Sequence, residues 1–347
     1  MTRKILSALA FAAVFCAATV SWAAQSDGKS GKQDKSMPNM DNVEIHVLQV
    51  RPNIYMLVGG GGNTTVQVGD DGILVVDTKL APVAQKLLKA IRSISDGTIR
   101  YVINTHYHPD HVGGNAVIRA AGATIAGGNV SGDISDAGEG AQIIAHENVL
   151  TRMSAPTGQA APTPVEDWPT ITYFTERKDL YFNGEGIEIL HQPKAHTDGD
   201  SVVYFRKSDV IATGDVFTTT NYPIIDVAVG GTINGEIEAL NNIMDLVIPV
   251  YGQEGGTLII PGHGHLSNLR TLIDYREMVT IIRDRVQKMI AMGMSLDEVK
   301  KAQPTRDYDP RYGSTTGFWT TDKFVEAVYN TLKDAKPADK KTGEQKQ

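Results

Sequence analysis

The segment Thr105-His106-Tyr107-His108-Pro109-Asp110-His111 gathers three imidazoles and a carboxylate within six residues. A single histidine, in a chain that has nine, is ordinarily a polar surface or core residue. His-x-His-x-Asp-His before Gly113-Gly114 is a different matter, because its spacing suits metal ligation. In extended backbone, side chains two positions apart point the same way, so His106 and His108 can share one cation. Pro109 ends the extended run. Asp110 and His111 then fall on the turn beyond it, within reach of a second cation beside the first. The glycine pair permits close backbone packing before a helix. Imidazole and carboxylate donors suit Zn²⁺ and accommodate iron or manganese.

The segment resembles the signature of the metallo-β-lactamase superfamily, whose fold is shared by glyoxalase II, lactonases and class B β-lactamases. The resemblance extends over roughly residues 43–272. It implies an α/β fold, an αββα sandwich of two facing mixed β-sheets with outer helices. It also implies three further ligands. His196, in Gln192-Pro193-Lys194-Ala195-His196-Thr197-Asp198-Gly199-Asp200, matches the third histidine of the first metal. Asp215, in Ala212-Thr213-Gly214-Asp215-Val216-Phe217, matches an aspartate that bridges both metals. His263, in Ile260-Pro261-Gly262-His263-Gly264, matches the last ligand and is preferred to His265 because it directly follows Pro-Gly at a strand end. The implied centre is therefore His106, His108 and His196 on one divalent ion, Asp110, His111 and His263 on a second, and Asp215 between them. By the same resemblance Asp77, at the end of a strand, orients ligands. His46, His146 and His191 have no ligand-like spacing and read as ordinary residues.

The elements that must position these groups follow from hydrophobic periodicity. Alternation predicts strands at 44–50, 54–58, 64–68 and 73–76, with turns at 59–62 and 69–72. Val83, Leu87, Leu88 and Ile91 recur at helical spacing and predict a helix over 84–94. A strand over 99–104 carries the histidine motif at its end. Strands at 187–190, 201–205, 210–213 and 258–260 lead towards the other ligand segments. Residues 127–175 are poorly periodic and rich in Gly, Ala, Pro and Thr, which predicts an insertion or lid near the site, with a helix over 141–153. A long helix over 269–292 ends at Gly293. Ser295-Leu296-Asp297-Glu298 is a capping-box sequence, and a last helix spans 322–332.

The 347 residues, 41% hydrophobic and 21% charged, are an ordinary globular composition, long enough for a full core. Arg3 and Lys4, an apolar run over 5–20 and the small residues of Ser21-Trp22-Ala23 form a signal-peptide pattern over residues 1–23. Its removal takes the only cysteine, Cys16, and two positive charges from a formal net charge of −7. The mature chain is then acidic and has no thiolate ligand, a poor match to nucleic acid or other polyanions. No later apolar run approaches the roughly 18 residues of a membrane span. The expectation is a periplasmic or secreted protein, with a flexible linker at 24–42, the hydrolase domain at 43–272, a helical extension at 273–334 and a disordered tail at 335–347.

The resemblance implies hydrolysis of an ester, thioester, lactone or β-lactam carbonyl of a small molecule by a metal-bound hydroxide, with Asp110 holding the nucleophile and relaying a proton to the leaving group. Export favours a β-lactamase proper. Asp215 speaks against one, because class B enzymes carry another group where this chain has a bridging aspartate. A glyoxalase II lacks support, since no basic cluster for glutathione stands late in the chain. Two other classes are a mononuclear iron dioxygenase acting on persulfides and a periplasmic accessory protein of a redox-cofactor system. Tyr222, in the loop after Asp215, is a candidate substrate contact. Phe318-Trp319 and residues 303–309 either pack the terminal helices, the simpler reading, or line a cleft or subunit interface.

Overall fold

The computed structural model describes residues 40–124, 140–156, 158–250 and 255–334. The signal-peptide, tail and most of the linker expectations lie outside the described residues.

Among the described residues, two β-sheets face each other. The first has seven strands in sequence order: β1 (His46–Arg51), β2 (Ile54–Val58), β3 (Thr64–Gly69), β4 (Gly72–Val76), β5 (Ile99–Ile103), β6 (Gln142–His146) and β7 (Ile171–Tyr173). Its first four strands are an antiparallel meander, and β4 to β7 run parallel. The second sheet has β8 (Arg177–Phe182), β9 (Glu185–Gln192), β10 (Asp200–Phe205), β11 (Val210–Ala212) and β12 (Leu258–Ile260) in the order β12-β11-β10-β9-β8.

The period-2 pattern decides which side chains fill which layer. Leu74, Val76 and Ile103 meet Val203, Phe205, Ala212 and Ile260 in the core between the sheets. Their neighbours Ile73, Val75 and Val102 point the other way, onto α1 (Ala84–Ile94) and α3 (Asn115–Ala120). Val202, Tyr204, Ile211 and Ile259 point outward onto α5 (Ile233–Leu246), α6 (Leu269–Ala291) and α9 (Thr321–Lys333). Four layers in the order α, β, β, α result, the sandwich that the sequence led us to expect. Residue 272 lies inside α6, so this helix and those after it share one core with the second sheet.

Residues 141–153 correct the sequence reading. Ile143-Ile144-Ala145 is buried in β6, paired with β5, and only Glu147–Met153 is helical, as α4. A short apolar run fits strand and helix equally, and parallel pairing on both sides decides for the strand. With β7, this part of the expected insertion completes the first sheet instead. The Ser295–Glu298 capping box opens α7 (Leu296–Ala302), with both reciprocal hydrogen bonds in place.

Because β4/β5 and β11/β12 are parallel pairs, Asp77, Thr105, Thr213 and Pro261 all emerge at strand C-terminal ends. The loop from β9 to β10 returns to the same edge, where Ser201 donates its backbone N–H to the Thr105 carbonyl at 2.8 Å.

Candidate metal centre

His106 and His108 lie in irregular extended backbone after β5. His108, at φ −63° and ψ 145°, is the N-cap of the one-turn α2 (Pro109–Val112), whose Pro109 suits a first helical position. Asp110 and His111 therefore project from the first helical turn rather than a simple turn. His196 sits in the β9–β10 loop, held by Asp200, whose carboxylate accepts the backbone N–H and hydroxyl of Thr197. Burial pushes the Asp200 carboxyl up to about 8. Asp215 lies in the short 3-10 turn Gly214–Val216 after β11, and His263 follows β12.

These seven side chains converge. His106, His108 and His196 offer ligand atoms within 4.8 Å of one another, as do Asp110, His111 and His263, and Asp215 lies between the two sets. Asp215 Oδ2 is 3.8 Å from His196 Nε2 and 4.0 Å from His106 Nε2. Its Oδ1 is 3.1 Å from His111 Nε2 and 3.3 Å from His263 Nε2. Asp110 Oδ2 is 3.2 Å from His263 Nε2. The approach is so close that a Cβ at Gly262 would stand 2.1 Å from Asp215 Oδ1, and one at Gly62 2.3 Å from His111 Cε1. Those two positions require glycine for want of space.

The hydrogen bonds behind the rings decide which nitrogen is free. Asp77 Oδ2 accepts the Thr105 hydroxyl and the His111 Nδ1–H, both at 2.7 Å. The Thr105 hydrogen is thereby used, so Thr105 Oγ1 accepts from His106 Nδ1 at 3.1 Å. His196 Nδ1 donates to the Ile224 carbonyl, and His108 Nε2 to Asp226 Oδ2 at 3.2 Å. Nε2 of His106 and His196 and Nδ1 of His108 thus face the centre as bare lone pairs, while His111 turns its Nε2 to Asp215 Oδ1. The lone pairs of His196 Nε2 and His108 Nδ1 face each other at 2.8 Å, and His106 Nε2 is buried without a hydrogen-bond partner. Facing lone pairs repel, and a cation between them removes the conflict. The residues therefore fit a metal ion.

The electrostatics separate the two ligand sets: burial would lower His111, yet Asp215, Asp77 and Asp110 raise it well above the usual imidazole range. Burial, then His111 and His196, hold His106 well below the usual imidazole range, and burial takes His196 down to about 4. Both are neutral donors near pH 7. Burial alone would lower His263, but Asp215 and Asp110 raise it to about 9. Burial would raise Asp215, yet His263 and His111 hold it well below the carboxylate range.

Asp77, assigned an orienting role by resemblance, lies against the ring of His111 and the hydroxyl and backbone N–H of Thr105. His265 is turned away, its Nδ1 against the Leu266 carbonyl. Tyr222 corrects the sequence reading. It is 1% exposed, stacks on Phe324 with centroids 4.7 Å apart, and donates to Asp309 Oδ1 at 2.9 Å. It fastens the helical layer and does not line the cleft. Phe318 and Trp319 do line it. Three residues escaped the sequence reading. Asp226 holds His108 and also accepts the Tyr107 hydroxyl at 2.9 Å. Thr105 couples Asp77 to His106. Lys79 is buried, donates to the Leu57 and Gly62 carbonyls, and is brought down to about 7 by burial. Thr105 adjoins the motif and was findable; Asp226 and Lys79 carry no spacing signal.

The chain is 27% identical over 182 residues to the 2,4-dinitroanisole O-demethylase subunit alpha of Nocardioides sp. (strain JS1661), covering 51% of this chain and 48% of that protein. It is 22% identical over 258 residues to the linear primary-alkylsulfatase of Pseudomonas sp. (strain ATCC 19151), covering 66% of this chain and 47% of that one. The chain thus spans about half the length of the curated relatives it matches. Among solved structures, the stereoselective inverting sec-alkylsulfatase from Pseudomonas sp. superposes with a TM-score of 0.58 at 16% identity, over 82% of this chain and 50% of that one. A metallo-β-lactamase from Pontibacter korlensis superposes with a TM-score of 0.50 at 14% identity, over 68% of this chain and 99% of that one. Residues 57–277 match the family model of the metallo-beta-lactamase superfamily, and the chain belongs to that superfamily.

Proposed function

We propose that this protein is a two-metal hydrolase, exported from the cytoplasm, that cleaves an ester, thioester or lactone carbonyl bond of a small molecule. The observation that carries the reading is the placing of Asp215, with one carboxylate oxygen towards His106 and His196 and the other towards His111 and His263. The donor set favours Zn²⁺ and accommodates iron or manganese. Two such ions, when bound, supply an ionised water near neutral pH and polarise the scissile oxygen.

The chain's own residues do the rest. Asp77, Thr105, Asp226 and the Ile224 carbonyl fix the ring planes, so little reorganisation accompanies reaction. Asp110 borders a cleft of about 650 Å³ together with Asp215 and His263. Burial would raise its carboxyl, but the charge of His111 and the hydrogen bond to His263 hold it at about 2, so it stays ionised and is suited to accept a hydrogen bond from the nucleophile and hold it in place. Neither Lys nor Arg lines this cleft among the described residues. Asp215, where class B β-lactamases carry another group, weighs against a β-lactamase proper. The intact second ligand set weighs against a mononuclear iron dioxygenase.

The test is a panel assay on the metal-loaded chain with an aryl ester, an acyl lactone, a thioester, a β-lactam and an alkyl sulfate. Carbonyl hydrolysis abolished by chelation and restored by Zn²⁺ is expected. The reading fails if His108→Ala and Asp215→Ala leave every detected activity unchanged.

A further inference from the structure

Residues 59–63 join β2 to β3 and carry no metal ligand, yet they touch both segments of the second ligand set. The Gly62 N–H donates to the Asp110 carbonyl at 3.0 Å. A Cβ at Gly61 would stand 2.9 Å from the same oxygen. On the other side the Asn63 N–H donates to the Gly262 carbonyl at 2.7 Å. Asn63 Nδ2 donates to the Pro261 and Gly264 carbonyls at 2.9 and 3.1 Å. Asn63 thus grips the backbone on both sides of His263, while Gly61 and Gly62 lie against Asp110 and His111.

A run of glycines with φ of +118°, +69° and +121° at Gly59, Gly60 and Gly61 has no side chains to fix its course. Lys79 supplies the anchor. Its Nζ donates to the Leu57 carbonyl at 2.9 Å, ahead of the run, and to the Gly62 carbonyl at 2.6 Å, at its end. This side chain is 0% exposed. Lysine is almost never fully buried unless paired, because an ammonium out of water is costly without hydrogen bonds. Lys79 also holds φ +65°, a region that residues other than glycine enter rarely. Its neighbours join the same packing. The Thr78 N–H donates to the His111 carbonyl at 2.7 Å, and the Leu80 N–H to the Gly60 carbonyl at 3.2 Å.

We infer that residues 59–63 form a strap that sets the spacing between Asp110, His111 and His263, and that Lys79 positions it. The inference rests on the metal-centre reading and assigns the strap to one of its two ions. Thr105, Asp226 and the Ile224 carbonyl, which hold the rings of His106, His108 and His196, share no hydrogen bond with the strap or Lys79 among the described residues.

Zinc affinity by chelator competition and proton NMR of the cobalt-loaded chain test this without turnover. Lys79→Met keeps the length of the side chain and removes the donor. Asn63→Ala releases the strap on the His263 side and decides the matter where Lys79→Met does not fold. Each is expected to weaken one zinc ion about tenfold or more and to keep the other within about twofold. The ring N–H signals identify the weakened ion: that of His111 shifts or is lost, and those of His106 and His196 hold. Tyr222→Phe, which lowers stability in the helical layer, should leave both affinities and all three signals unchanged. Equal weakening of both ions, weakening of the His106, His108 and His196 site instead, or affinities unchanged in both variants would overturn the inference. Selective weakening without hydrolysis of any panel substrate would overturn the function and leave the strap standing. Hydrolysis with equal weakening of both ions would do the reverse.

Discussion

Asp77 Oδ2 lies 2.7 Å from His111 Nδ1, both side chains buried, while its Oδ1 accepts the Thr105 backbone N–H at 2.8 Å. One carboxylate thus fixes a ring of the second ligand set and, through Thr105, the His106 ring of the first. Asp77→Asn keeps the size and tolerates the backbone φ of +62° found there. It cannot accept all three hydrogen bonds. We expect metal affinity to fall about 10–100-fold, with the fold intact by circular dichroism. Competition with a zinc chelator reads this; affinity unchanged within about twofold would remove Asp77 from its orienting role.

Asp226 acts on one metal only. It holds His108 Nε2, and the Tyr107 hydroxyl in turn holds Asp226. Asp226→Asn should weaken the His106/His108/His196 site about tenfold and spare the other site. Tyr107→Phe should do the same more mildly. Site-resolved zinc titration distinguishes this from a general loss, and equal weakening of both sites would contradict it.

Tyr222 separates stability from activity. Its hydroxyl donates to Asp309 Oδ1 at 2.9 Å, with the Thr305 carbonyl 3.2 Å away. Tyr222→Phe should cost about 1–2 kcal/mol in urea unfolding. Its kcat/KM should stay within about twofold, because the ring stack on Phe324 survives. A fall in kcat/KM without a fall in stability would restore Tyr222 to the substrate.

His146 is a source of acid sensitivity away from the centre. It stacks on His191 with centroids 3.6 Å apart and accepts the Asn148 N–H at the start of α4. Burial, then the His191 charge, lowers its pKa from 6.5 to about 4. Between those values the unfolded chain takes up a proton that the folded chain refuses. Stability is therefore lost as pH falls from 6.5 towards 4. His146→Asn keeps a capping acceptor and removes the titration, so its Tm should decline less steeply over that window. Superimposable Tm-against-pH curves would show that His146 contributes nothing to the decline.

What the sequence made legible follows a physical line. The apolar strand Ile54–Val58 and the amphipathic helix Ala84–Ile94 were readable because their burial is written in the side chains. The edge strand Arg177–Phe182 was not, since RKDLYF meets solvent on most positions. Helix α5 has apolar residues at helical spacing, but Gly235 in its first turn obscures it. That glycine is there because a Cβ would stand 2.0 Å from the Lys194 carbonyl, beside the His196 loop. The ligands themselves were readable because metal chemistry restricts residue type. The groups that aim them were not: His108 and Asp226 are 118 positions apart, and the partner of His196 is a backbone carbonyl.

In the proposed function Asp215 joins two metal sites into one hydrolytic centre. Metal content measured by inductively coupled plasma mass spectrometry, on the parent chain and on Asp215→Ala after equilibration with zinc, tests it most directly. Two zinc ions per parent chain, fewer than two in the variant, and loss of hydrolysis with the missing metal are expected. One metal per parent chain, or a variant that keeps both ions and its activity, would contradict it.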